Sequence, residues 1–195
     1  MEELLIKRKP YKVISLLKED ELFKSYKCEY KSETKFVKVF SDKPAFLADQ
    51  ANYKALKKCG IKMPKLQKVD KNSLILVYEF IEEETAFDAL LKHDLEDVYF
   101  DKLFEMYRFA RFSKIELDYF PTNFVIHKGE LYYLSHFFSE QNKDKNLENF
   151  GIFYWFYSQE LVKYLKERNI PVDSNRVLPK AEVNKKIVLT SIMKW

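Results

Sequence analysis

Residues Ile115 to Phe138 read IELDYFPTNFVIHKGELYYLSHFF. An acid, Asp118, is followed five residues later by an amide, Asn123. Two apolar runs then flank Lys128-Gly129, the pattern of a short hairpin. Either the loop places an acid and a metal-binding amide for chemistry, or it is a surface turn. In the second reading Asp118 caps the chain ahead of Pro121 and Asn123 holds its own backbone.

Upstream, YKVISLL, LFKSYKCEYK and KFVKVF lie between Tyr11 and Phe40 and have strand character. In the last, Phe36, Lys38 and Phe40 alternate with Val37 and Val39, so Lys38 shares a strand face with two aromatics. Taken alone, such a lysine lays its stem on apolar surface and snorkels its amine into water. Asp42 and Pro44 open a helix over Pro44–Cys59, with Phe46, Leu47, Ala51, Ala55 and Leu56 as its apolar stripe, and Gly60 ends it. KMPKLQKVDKNSLILVYEFIE then reads as a Pro-started strand, an Asp-Lys-Asn-Ser turn and an apolar strand from Leu74 to Phe80. TAFDALLK and DVYFDKLFEMYRFARFSK have helical spacing. Beyond the opening stretch come a polar segment, a long helix over FGIFYWFYSQELVKYLKER, a Pro-bounded loop and a final amphipathic helix. The order is α+β in two lobes: residues 1–81 rich in strand, 82–195 mostly helical, with the cleft between them the default place for a site.

Composition bounds the function. With 195 residues, 47% hydrophobic and 16% aromatic, the chain buries a core and is not disordered. The 34 basic and 30 acidic residues nearly cancel to +4, and the lysines are scattered rather than striped, which argues against a nucleic-acid partner. Cys28 and Cys59 stand alone without CxxC spacing, as reduced half-buried fillers do. MEELLIKRKPYK lacks the apolar run of a signal peptide, and no segment has the length of a membrane span. The expectation is a soluble cytoplasmic protein with no membrane partner. Seventeen Phe and thirteen Tyr exceed the needs of a small core, so some are expected on a partner surface.

Taken with this order of elements, Asp118-Tyr-Phe-Pro-Thr-Asn123 resembles the D-x-x-x-x-N catalytic loop of the protein-kinase-like fold. The likeness is closest to small bacterial phosphotransferases of the lipopolysaccharide-kinase and aminoglycoside-phosphotransferase type. FVKVF looks like the strand whose lysine, here Lys38, meets nucleotide phosphates. QANYKALKKCGIKMPKL looks like the helix after it, and SLILVYEFI like the strand into the hinge near 79–81. GELYYLSHFF and NLENFGIFYW take the places of the metal-site hairpin and the helix after it. The resemblance covers about Lys12 to Arg168, with segment 116–138 as the catalytic-loop region. It implies ATP and Mg²⁺ as cofactors and a hydroxyl of a sugar, small molecule or protein as acceptor. Asp118 would be the base and Asn123 a metal ligand. The backbone from Glu79 to Ile81 would meet adenine.

The departures fall where the chemistry is. None of the three glycines precedes Lys38, so LLKEDELFKSY puts acids and bulky side chains where amides would cradle phosphate. The helix position that should hold Lys38 with a glutamate carries Gln50, and Asp49 lies about 100° round the helix from it. The metal-binding acid is replaced by Ser135, followed by His136, and a neutral hydroxyl serves Mg²⁺ weakly. Glu116 and Leu117 stand where His and Arg usually precede the loop acid. The reading is a catalytically impaired, pseudokinase-like module that binds nucleotide or a partner. The alternatives are an active atypical kinase, with Glu140 or Asp144 reaching the metal, and an interaction scaffold without nucleotide. His136 is expected to be half-buried and satisfied, His93 and His127 at the surface, and Phe150, Trp155 and Phe156 in the core.

Overall fold

A computed structural model describes the backbone of residues 3–192 and the side chains of residues 3–189. The chain divides into two compact units: Met1–Ala55 with Met63–Glu82, and Leu56–Lys62 with Glu83–Trp195.

The first unit is a six-stranded antiparallel sheet: β1 (Glu3–Ile6), β2 (Lys9–Glu19), β3 (Phe23–Tyr30), β4 (Glu33–Phe40), β5 (Leu66–Asp70) and β6 (Ile75–Glu79), in the order β1-β2-β3-β4-β6-β5. Strand alternation sorts its residues. Val37, Cys28, Ile75 and Val77 point into one buried cluster, completed by Ile6 and Tyr11 from the first hairpin. Strand β1 was not anticipated: its Leu4 and Ile6 are too short an alternation to stand out beside the charged KRK turn. The sheet curls so that the Lys7 amide donates to Asp70 Oδ2 at 2.7 Å. Lys38, Phe40 and Leu76 face the other way, toward α1 (Lys43–Lys58). Asp42 caps this helix through the Ala45 amide at 2.8 Å. Beyond its end, Gly60 at φ +81° lets the Ile61 amide return to the Leu56 carbonyl at 3.1 Å.

The second unit holds α2 (Ala86–Lys92), α3 (Asp97–Phe112), β7 (Ile115–Leu117), β8 (Phe124–His127), β9 (Glu130–Tyr133), β10 (Phe138–Glu140), α4 (Gln159–Glu167) and α5 (Lys180–Ile192). Thr85 and Asp88 form a reciprocal capping box on α2. Strands β8 and β9 are the expected hairpin, turning at Lys128 (φ 52°) and Gly129 (φ 74°), the two positive φ values a tight right-twisted hairpin needs. Strand β7 pairs with β10 through Leu117↔Phe138 and Glu116↔Ser139, which fixes both ends of the Asp118 region.

The long helix expected over residues 150–168 is two pieces. Residues Gly151–Trp155 form a 3₁₀ turn, Phe156 is extended at φ −124°, and α4 starts afresh. Ser158 makes the break: its hydroxyl donates to the Phe153 carbonyl at 2.7 Å and accepts the Leu161 amide at 3.2 Å as an N-cap. Trp155 and Phe156 are in the core as expected, whereas Phe150 is 50% exposed. Among the described residues no helix is long and apolar enough to cross a membrane.

Candidate functional site

Within the first unit, Lys38 is buried, with its Nζ 2.7 Å from Asp49 Oδ1. The hydroxyl of Tyr78 donates to the other Asp49 oxygen at 2.9 Å. Burial, and then the Asp49 charge, raises the Tyr78 hydroxyl far above the ordinary tyrosine range. Two expectations are corrected here. The lysine does not snorkel, because a carboxylate reaches it inside the unit. That carboxylate is Asp49, not a group on Gln50, whose amide turns back to the Phe46 carbonyl at 3.4 Å. The buried stripe of α1 runs through Phe46, Tyr53 and Leu56, and Asp49 lies in phase with it, three residues after Phe46 and four before Tyr53. Leu47, which suggested a different phase, is 49% exposed.

The turn between β2 and β3 has no glycine to offer amides outward. Instead Asp20 Oδ1 accepts the amides of Leu22 and Phe23, each at 3.0 Å. Lys18, 2.8 Å from the same carboxylate, is the first cause of its lowered pKa. At the expected hinge, the Glu79 amide donates to the Lys65 carbonyl at 2.9 Å and its carboxylate accepts the Lys65 amide at 3.3 Å, while Ile81 is half-buried.

The second unit brings Asp118, Asn123 and the Ser135 segment together. The Asn123 side-chain amide donates to the Asp118 carbonyl at 3.1 Å, and Asp118 Oδ1 accepts the Phe120 amide at 3.2 Å. The Tyr133 hydroxyl accepts the Asp118 amide at 3.1 Å and donates to the Phe137 carbonyl at 2.7 Å. One buried phenol therefore ties the acid loop to the segment after the hairpin. Nothing in the spacing of the sequence marks Tyr133 for that task. Behind the loop, the Tyr119 carbonyl accepts Trp155 Nε1 at 2.7 Å. The loop borders a cavity of about 520 Å³ lined by Asp118, Asn123, Phe120, Tyr154, Tyr164 and Arg168. Asp118 is exposed, and its carboxylate also holds its own turn, so the turn-capping role is real beside any chemical one.

Three neighbours complete the region. Glu116 is 3% exposed, and burial raises its pKa against the smaller lowering influence of the Asn142 backbone and the Tyr119 hydroxyl. His136 is more buried than expected, at 6% exposure. His127 is only partly exposed, with Nδ1 2.7 Å from Glu83 Oε1. As a Mg²⁺ site the donors fit poorly. Ser135 Oγ accepts the Phe137 amide at 3.1 Å, and Asn123 adds only a neutral amide oxygen. Among the described residues no three His, Cys, Asp or Glu side chains cluster as metal ligands.

An antiparallel sheet with its helix, then a mainly helical unit carrying an Asp–Asn loop and hairpin, is a protein-kinase-like fold in shortened form. Similarity to the autoinhibited serine kinase domain of the giant muscle protein titin bears on that fold, with a TM-score of 0.54 at 14% identity over 71% of this chain. The chain spans about half of that domain, 48% of its length. No family model matches the sequence, and no curated protein does.

Proposed function

We propose that this is a kinase-fold protein of the ATP-dependent phosphotransferase type with impaired catalysis, a pseudokinase-like module that binds nucleotide or a protein partner. Within that fold its affinities are with the small bacterial lipopolysaccharide-kinase and aminoglycoside-phosphotransferase type, working in the cytoplasm. The observation that carries the reading is the pairing of a preserved lysine site with a missing metal acid. Lys38 keeps a buried counter-charge, supplied by Asp49, while position 135 offers a hydroxyl already engaged by Phe137. In this reading Lys38 faces nucleotide phosphates, the Glu79–Ile81 backbone meets adenine, and Asp118 faces an acceptor hydroxyl. Phosphoryl transfer depends on electrostatic stabilisation of charged oxygens, and the phosphate loop and the metal acid are both lost.

The test is ATP titration with and without Mg²⁺, followed by thermal shift, together with transfer of radiolabel from ATP. ATP raises the unfolding midpoint equally with or without Mg²⁺, Lys38→Met removes the shift, Asp118→Ala keeps it, and no label is transferred. The second reading, an active atypical kinase, is favoured by the ordered Asp118–Asn123 loop. Label transfer that disappears in Asp118→Ala would establish it. A folded protein showing no shift with ATP would leave the scaffold reading.

A further inference from the structure

We infer that the phosphate site at Lys38 is an anion site shared with Lys18 and held shut by the ring of Phe23. This rests on the nucleotide reading above and adds its regulation. The Lys38 Nζ lies 4.9 Å from the centroid of the Phe23 ring, and the Lys18 Nζ lies 5.0 Å from the same centroid. One aromatic ring thus contacts two ammonium groups, each attracted by its π cloud. Both ammoniums carry a carboxylate on another side, Asp49 for Lys38 and Asp20 for Lys18. Lys38 is only 6% exposed, so a phosphate reaches it only when a covering group moves, and the Phe23 ring is the covering group carried by the turn between β2 and β3.

The segment that carries Phe23 is fastened. Asp20 accepts the Phe23 amide, and the Asp20 amide donates to the Phe23 carbonyl at 3.1 Å. The Ser41 hydroxyl reaches the carbonyls of Glu21 and Leu22, both at 2.9 Å, and the Ser41 amide adds a bond to Leu22 at 3.0 Å. The Phe23 ring also packs on Phe40, its register partner, at 5.8 Å. A turn that would cover phosphate through flexible glycine amides is here tied down by side chains, with an aromatic ring facing the lysine. Opening therefore uncovers Lys38 beside Lys18, whose side chain is already exposed, and the two cations together suit a polyphosphate. A polyphosphate binds only the open fraction, so its apparent affinity falls in proportion to that fraction.

The experiment compares binding of ATP and of tripolyphosphate, without Mg²⁺, by calorimetry on the wild type, Phe23→Ala, Ser41→Ala and Phe23→Ala/Lys38→Met. Phe23→Ala tightens both ligands about tenfold, the scale of losing a closed state that holds some nine molecules in ten. Ser41→Ala leaves the ring in place but loosens the turn, so it tightens both ligands by a smaller factor and keeps the test open if Phe23→Ala folds poorly. Adding Lys38→Met to Phe23→Ala removes the gain. Equal affinities in the wild type, Phe23→Ala and Ser41→Ala would overturn the closure while leaving the nucleotide reading intact. Absence of ATP and tripolyphosphate binding in every folded variant would overturn the nucleotide reading, and this inference with it.

Discussion

Asp49 lies against Lys38 with Tyr78 donating to its second oxygen, so the two charges are compensated by each other and by one hydroxyl. Removing one partner of such a buried pair leaves an uncompensated charge, at a cost of about 3–5 kcal/mol. Asp49→Ala is therefore expected to lower stability by about 3 kcal/mol, while Gln50→Ala, one residue away, costs under about 1 kcal/mol. Urea unfolding of the two variants measures the difference, and equal losses would contradict the assigned pair. Glu116 makes an opposite case, a buried carboxyl without an opposite charge in ion-pair contact among the described residues, whose pKa is raised chiefly by burial. Because its folded pKa lies above the unfolded one, the native state holds more protons than the unfolded state between the two values. Stability contributed there falls as pH rises from the unfolded carboxyl pKa through the raised folded one. Glu116→Gln keeps the shape of the neutral acid and cannot lose the proton. The variant should match the wild type near pH 4 and become the more stable protein as pH increases, read from unfolding curves across pH 4 to 8. A gap independent of pH would show that Glu116 does not titrate in that window.

The acid loop owes its position to the elements packed behind it, and at Gly151 that packing leaves no room for a side chain. A Cβ at position 151 would meet the Tyr119 Cβ at 2.6 Å, closer than side-chain atoms approach, so Gly151→Ala must push Tyr119 and the loop beside it. The variant is expected to lose about 1–3 kcal/mol, as overpacked sites do, and to weaken any binding that uses Asp118. Thermal unfolding reads the first effect, and comparison with Asp118→Ala reads the second. The strands of the first unit after β1, α1 to α3 and the β8–β9 hairpin were legible because strand alternation, helical spacing and Lys-Gly turn chemistry all speak locally. Asp118, Asn123 and Ser135 were also legible as one neighbourhood, since a short loop and a hairpin bring them together over few residues. What escaped the sequence depends on neighbours far along the chain. Leu47 disguised the phase of α1, and with it the choice of Asp49 over Gln50. Ser158 broke a helix that apolar spacing carried straight through, because its hydroxyl bonds compete with the helical ladder. The Tyr133 bridge and the Phe23 contact come from which rings fold back on which groups, and single residues do not announce that.

Across the described residues, the order of elements is that of a kinase-like fold, and the proposed impaired reading turns on the groups it assigns to phosphate and metal. Lys38 has a carboxylate partner and Asp118 and Asn123 share a loop, while the turn that this reading places over the phosphates is fastened by Asp20 and Ser41, and Ser135 stands where it expects a metal-binding acid. If the loss at position 135 is what uncouples nucleotide from Mg²⁺, restoring one carboxylate should recouple them. Ser135→Asp suits that test, since an aspartate there can still accept the Phe137 amide that Ser135 Oγ accepts now. Its second oxygen adds the hard anionic donor that Mg²⁺ favours, beside the amide oxygen of Asn123. The expected outcome is ATP binding that is indifferent to Mg²⁺ in the wild type and about tenfold tighter with Mg²⁺ in Ser135→Asp, measured by titration at fixed ionic strength. Asn123→Ala in the Ser135→Asp background should then remove the Mg²⁺ dependence again, because a single carboxylate holds the ion poorly. Wild-type binding that already tightens with Mg²⁺ would mean that another acid, such as Glu140 or Asp144, serves the metal, and the impaired reading would give way to an active kinase.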